Sequence, residues 1–454
     1  MVALLVVTGL VVPAAAAAPS TVGSAGGGDP YYPMQGNGGY NAKHYTLNLR
    51  YDPRTRRLNG VMHLRAVTTE RLSRFDLDLR HDMTATRVLV NGRVARHAQP
   101  ADRAHELVIT PAATLPAHKQ FTVAVTYGGT TALIHDPDGS PDGWIKTDDG
   151  AFVANEPQGS PTWFPVNNTP RDKASYTITV NVPRGYVAAS NGRFYPPVHR
   201  GTRTIWHYNL TTPVSDYLVT ATVGHFDIHH GRTAKGVPYT IFIDPTQRAG
   251  AGLVLRKLPK IIDFYSSRYG AYPFGRAGAI VDNAPNVGYA LETATRPLFP
   301  GAPDELTLAH ELAHQWYGDT VTCKRWRDIW INEGFAEFSD WMWDQHRGGM
   351  TMHQHLRQLL ARPAGSSSFE PPPGNPGSAA NIFDNSVYDR GAGTLEALRE
   401  KLGNAIFFKI MRGWVHLHRY GNATTAGFTK YASTVAHRDL THFFDVWLYR
   451  RAKP

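Results

Sequence analysis

Hydrophobic periodicity changes once along this chain, and that change constrains the fold more than any other feature. From Tyr40 to about His230 apolar residues recur at every second position. Tyr45, Leu47, Leu49 and Tyr51 alternate with polar residues, as do Phe75, Leu77 and Leu79. Phe121, Val123, Val125 and Tyr127 keep the period, and so do Tyr176, Ile178, Val180 and Val182. Period two with one polar face marks half-buried antiparallel strands. Asn91-Gly92 supplies the pair of positive-φ residues that a two-residue hairpin turn needs. After about Val237 the spacing becomes helical, over 253–269, 304–317, 333–346, 391–402 and 405–417. Gly318 and Gly403 stand where helices would stop. Residues 362–377 carry Ser366-Ser367-Ser368 and then Pro371-Pro372-Pro373, and read as a loop. The expected fold class is α+β, with an antiparallel β domain over 29–236 and a mainly helical domain over 237–454.

Composition narrows the function classes. A single cysteine, Cys323, excludes an internal disulfide framework and a multi-cysteine metal cluster. Apolar residues at 42% and charged residues at 19% allow sizeable cores and exclude a disordered tail. The formal charge of +10 admits acidic partners. No basic run interleaves with aromatics, so nucleic acid is not an expected partner. Residues 1–18 are apolar and small, and Ala14 to Ala18 offer small-residue cleavage sites, the pattern of a secretory signal. The run is shorter than the roughly 20 apolar residues of a membrane span. A basic n-region is missing, which puts the start upstream of Met1 or favours a disordered Ala-rich tail instead. Residues 19–28 are rich in Pro, Ser and Gly and read as a flexible leader. The expectation is a signal peptide and leader over 1–28, then a secreted monomer without stable membrane insertion.

The sharpest local feature is His310-Glu311-Leu312-Ala313-His314. On a helix, positions i and i+4 share a face, so both imidazoles can reach one ion. Glu311 stands beside them, where a water on that ion would lie. Asp304 can cap the helix, and Leu308, Leu312 and Trp316 follow at four-residue steps. The bland alternative is a solvated His/Glu face. A third ligand is expected from Glu333 in Asn332-Glu333-Gly334-Phe335, after one helix has ended at Gly318 and a second has begun. Two His and one Glu leave the fourth tetrahedral position open, the catalytic pattern of a single zinc ion. Otherwise Glu333 is an acid favoured by a helix N-terminus.

Residues 310–319 (HELAHQWYGD) with 332–338 (NEGFAEF) resemble the gluzincin aminopeptidases, the family of aminopeptidase N and leukotriene hydrolase. The resemblance extends, in order, over nearly the whole chain after the leader. Residues 36–45 (GNGGYNAKHY) are similar to the first strand of secreted bacterial members. Residues 289–293 (YALET) stand at the family's Gly-Ala-Met-Glu-Asn motif, 387–399 (VYDRGAGTLEALR) at its catalytic tyrosine, and 440–448 (LTHFFDVWL) at the end of its catalytic domain.

The resemblance implies a saddle-like β domain and a thermolysin-like zinc peptidase domain, without the long C-terminal helical domain of larger relatives. It implies hydrolysis of the N-terminal bond of peptides with a free N-terminus. Glu311 would be the general base toward a zinc-activated water, and Tyr388 would stabilise the oxyanion. Glu292 would grip the substrate's α-ammonium, beside Tyr289 and Ala290, with Glu156 as a second amine-binding carboxylate. Tyr289, Leu291 and Thr293 depart from the family's Gly, Met and Asn, and Asn168 stands for a family Asp. Glu337, four residues after Glu333, could orient a ligand imidazole. The bland readings are a packing tyrosine for Tyr388, a surface acid for Glu292 and Glu337, and a turn residue for Glu156. A zinc endopeptidase with the same ligands, or a non-catalytic binder of acidic cell-surface polymer, is the alternative.

Overall fold

The computed structural model describes residues 21–103 and 105–454. The expected signal segment, 1–18, lies outside the described residues.

Most of the alternating segments build one eight-stranded sheet; Leu72–Asp78, with Phe75 and Leu77, lies instead in a four-stranded sheet, and its Asp76 and Asp78 are buried rather than on a wet face. The order of the larger sheet is Arg193–Arg200, Arg203–Val214, Ala174–Pro183, Tyr40–Asp52, Arg57–Thr68, Gln120–Thr130, Met83–Val90 and Arg93–Val94. Neighbours run antiparallel except Tyr40–Asp52 beside Ala174–Pro183, which are parallel. Leu47, Leu49 and Tyr51 point into the core while their polar neighbours stay exposed or half-buried, as period two requires. Asn91 (φ 50°) and Gly92 (φ 77°) close the expected hairpin.

A five-stranded sheet packs inside this layer and carries residues toward the second half of the chain. Its strands Ala151–Ala154 and Ala221–Gly224 are buried along their full length. A strand covered on both faces shows no alternation, so periodicity did not single these out. A further sheet, with order Asp227–Arg232, Pro238–Ile243, Ala277–Val281 and Leu298–Phe299, begins with an antiparallel hairpin and continues in parallel. The expected division at 236/237 falls in the turn of that hairpin.

Residues 21–28 differ from the expected flexible leader. Thr21–Val22 pairs in parallel with Leu72–Asp78, and the Gly23 and Gly27 amides donate to Arg74 O (2.9 Å) and Gln35 O (2.7 Å). The glycines serve close backbone packing here: a Cβ on Gly23 would lie 2.7 Å from Gly38 O.

Nine α-helices follow among the described residues. The helical spacing over 253–269 divides into α1 (Arg248–Leu255) and α2 (Leu258–Tyr269), because Pro259 cannot continue a helix but suits the first turn of one. Then come α3 (Glu305–Ala313), α4 (Trp330–His346), α5 (Met352–Ala361), α6 (Asn385–Leu402), α7 (Asn404–His418), α8 (Thr425–Ala436) and α9 (Thr441–Leu448). Asp304 caps α3 by accepting from the Leu306 and Thr307 amides at 2.8 and 2.9 Å. Residues 362–377 form the expected loop between α5 and a 3-10 turn at Ala379–Asn381.

Two glycines set how closely α4 and α6 approach. A Cβ built on Gly334 would stand 2.8 Å from the Gly391 Cα, so the two backbones touch there. Glu333 is one residue before that contact on α4, and Tyr388 is three residues before it on α6. The contact therefore fixes the separation of both. Gly334→Ala should force the helices apart and destabilise the protein by about 1–3 kcal/mol, the range for overpacking a close contact. Denaturant unfolding measures this; an unchanged midpoint would contradict the account.

Candidate metal centre and active site

His310 lies in the last turn of α3 and His314 is its C-cap, one turn on, with ring centroids 4.9 Å apart. Glu333, in the first turn of α4, places Oε2 3.5 Å from His310 Nε2 and 3.3 Å from His314 Nε2. The three donor atoms lie within 4.8 Å of one another. Any three points so spaced have a common point within about 2.8 Å of each, so a small contraction reaches the 2.0–2.2 Å of zinc ligands.

The other ring nitrogens are occupied, which aims both Nε2 atoms at Glu333. His314 Nδ1 faces Tyr317 O at 3.0 Å. His310 Nδ1 faces Asp340 Oδ2 at 3.3 Å, with Glu337 Oε2 at 3.6 Å. The second nitrogen of a ligand imidazole is held by a carbonyl or a carboxylate in this way at metal sites. Glu337, expected from its helical spacing after Glu333, stands beside His310 Nδ1. Asp340 was missed, although Glu333, Glu337 and Asp340 fall on one face of α4 at i, i+4 and i+7.

The electrostatics fit the same ion. Burial works to raise the Glu333 pKa, but His314 and His310 outweigh it and hold the carboxyl down at about 2. The carboxylate is therefore charged at any ordinary pH. Two imidazole nitrogens and one carboxylate oxygen, buried and pre-aimed, form the donor set of a catalytic zinc site, and the residues present fit one Zn2+.

Nine of the ten candidates named from the sequence line one cavity of about 480 Å³: Glu156, Tyr289, Ala290, Glu292, His310, Glu311, His314, Glu333 and Tyr388. Glu311 is 6% exposed and its Oε2 has no hydrogen-bond partner. Burial pushes its pKa up to about 7 against the pull of His310 and His314. A carboxylate with a pKa near neutrality can both take and return a proton. Tyr388, in the first turn of α6, tilts its ring 5.9 Å from that of His310. Burial, then the charge of Glu333, keeps its phenol well above the usual range, so its hydroxyl stays a donor.

Glu292 and Glu156 face the same space, each with an unpartnered Oε1. Glu292 is 3% exposed, and Gln315 Nε2 donates to its backbone carbonyl at 3.3 Å, tying it to the end of α3. Burial raises the pKa of Glu292, and raises that of Glu156 further with the charge of Glu292 added. No Lys or Arg lines the cavity among the described residues; of the other cavity residues, His314 and His310 pull the Glu292 carboxyl down.

The departures from the family motif have local explanations. Tyr289 donates its hydroxyl to Pro141 O at 2.7 Å, anchoring the 288–290 wall to the β domain. Ala290 completes that wall. Thr293 donates to Arg296 O at 2.5 Å and so closes its own turn. Asn168 donates to Asp216 Oδ2 at 2.7 Å and to Pro157 O at 3.3 Å, bracing the residue that follows Glu156. Phe383 and Asp138 also line the cavity, and no sequence pattern marked them.

Known proteins share this arrangement. The model of the peptidase M1 N-terminal domain matches residues 41–218, and that of the peptidase family M1 domain matches residues 304–447. Glutamyl aminopeptidase of Bos taurus is 26% identical over 338 residues, covering 67% of this chain and 34% of that protein. Aminopeptidase M1-B of Oryza sativa subsp. japonica is 29% identical over 289 residues, covering 58% and 32%. The chain thus spans a third of the length of these curated relatives. The M1 zinc metallopeptidase of Deinococcus radiodurans, solved as a variant with a Tyr-Ser-Ala substrate, superposes with a TM-score of 0.86 at 27% identity. That match covers 94% of this chain and 98% of the other. With both domains matched in order and the fold shared along almost its full length, the chain belongs to the peptidase M1 family.

Proposed function

We propose that this protein is a secreted zinc aminopeptidase that hydrolyses the N-terminal bond of peptides. One observation carries the reading: Glu292 and Glu156 line the same cavity as the metal triad, and no Lys or Arg among the described residues lines it with them. A buried anion at a fixed distance from the reacting centre selects a substrate whose α-ammonium reaches it. Zinc held by His310, His314 and Glu333 would supply a water of lowered pKa and a polarised carbonyl. Glu311 takes the water's proton and passes it to the leaving amine. Tyr388 donates its phenolic hydrogen to the carbonyl oxygen as charge gathers there. Asp340 and Glu337 keep His310 in the tautomer that faces Glu333.

The names of the relatives support an exopeptidase, and so does the tripeptide held by the D. radiodurans structure. Secretion rests on the apolar run and small residues of 1–18. No described helix is long and apolar enough to cross a membrane. A monomer working on free peptides completes the proposal.

Paired aminoacyl-peptide substrates, free and N-acetylated, test it. Cleavage of the free series alone is expected; equal cleavage of the acetylated series would make the protein an endopeptidase. Glu292→Ala should raise KM for free substrates and narrow their advantage over acetylated ones. An unchanged preference would reject the role of Glu292. Glu311→Ala should keep its zinc and lose at least ~10²-fold in kcat, the range of general-base removal. Retained turnover would place the base elsewhere. Tyr388→Phe should lower kcat by ~10²–10³ with little change in KM. An unaltered kcat would remove Tyr388 from the oxyanion site.

A further inference from the structure

A second cluster of donor atoms lies outside the zinc cavity. Asp149, Asp244 and Asp282 each bring a carboxylate oxygen within 4.8 Å of the other two. They come from three separate places in the chain. Asp149 is in the turn between strands Pro141–Lys146 and Ala151–Ala154 of the β domain. Asp244 and Asp282 follow the adjacent parallel strands Pro238–Ile243 and Ala277–Val281, at matching ends.

Each carboxylate is held by short hydrogen bonds. Asp244 Oδ1 accepts from the Thr246 amide (2.7 Å) and hydroxyl (2.5 Å). Asp149 accepts from the His225 amide (2.7 Å) and the Thr147 hydroxyl (3.2 Å). Asp282 Oδ1 accepts from the Asn283 amide at 2.8 Å. The other oxygen of Asp282 has no partner, although the residue is 0% exposed. None of the three makes an ion pair with Lys, Arg or His among the described residues.

A buried carboxylate without partner is costly, and two more carboxylates beside it add repulsion. Burial pushes the pKa of Asp282 well above the carboxylate range; Asp149 and Asp244 raise it further, against the Asn283 amide. Either a proton or a bound cation relieves that cost, and a cation also relieves the repulsion among the three carboxylates. We propose that Asp149, Asp244 and Asp282 bind a divalent cation, calcium in preference to magnesium, which ties the β domain to the parallel strands Pro238–Ile243 and Ala277–Val281.

The chemistry selects the ion. The donors are all hard oxygens, which suit calcium or magnesium and not zinc. Oxygens so spaced share a point within about 2.8 Å of each, which a small contraction brings to the 2.3–2.6 Å of calcium ligands. Calcium also accepts irregular geometry and further water ligands, which three carboxylates from separate elements require.

The test uses the zinc-loaded protein dialysed free of calcium. Calorimetric titration with calcium should show one site per chain, and calcium in excess should raise Tm by roughly 2–4 °C. Magnesium should raise it less. Asp282→Asn and the half-buried Asp149→Asn should each abolish the heat and the Tm shift while zinc content stays the same. If Asp282→Asn does not fold, Asp149→Asn decides. No shift in the wild-type protein, or an equal shift in the variants, would overturn the site. The first result would mean that protons neutralise the cluster. An equal magnesium shift would overturn the preference for calcium. Zinc content and peptidase turnover are read separately, so failure here and failure of the proposed activity are distinct outcomes.

Discussion

The catalytic half of the molecule is arranged around one buried charge, the carboxylate of Glu333 between His310 and His314. Burial acts against that charge; the two imidazoles, at 3.5 and 3.3 Å, overcome the penalty. Breaking such a group by removing one partner leaves an uncompensated charge, so the angle and spacing of α3 and α4 have little freedom. The capped start of α3 and the Gly334–Gly391 contact carry this constraint outward, to the turn after Asp304 and to Tyr388 on α6.

The cavity built on that constraint is anionic. Glu156, Glu292, Glu311 and Glu333 share it, and no Lys or Arg lines it among the described residues. Such a wall is stable when cations complete it, and the two that fit are a metal ion at the His pair and an ammonium group at Glu292 and Glu156. The +10 formal charge of the chain is therefore carried away from this cavity. Net charge describes the exterior of this protein and says little about what enters its active site.

Several features were legible in the sequence because their physics is local. The i, i+4 spacing of His310 and His314, the Asp304 cap and the Asn91-Gly92 turn each depend on a few consecutive residues. So does the period-two pattern of strands with one wet face. What escaped depends on distant or negative information. Strands such as Ala151–Ala154 are covered on both faces and lose their alternation. Pro259 divides a stretch whose spacing alone reads as one helix. Glycines at 23 and 27 have the composition of a linker but lie against neighbouring backbone. Glu292 and Glu156 came from family resemblance, since a lone Glu carries no local sign of the cavity it faces. Asp149, Asp244 and Asp282 are ordinary strand-end residues until the fold brings them together.

The central claim is that His310, His314 and Glu333 form one zinc site. Elemental analysis of the dialysed protein tests it most directly. One zinc per chain is expected, with the metal lost from His314→Ala while far-UV circular dichroism stays unchanged. Absence of stoichiometric zinc, or full zinc retention by the folded His314→Ala variant, would contradict the account.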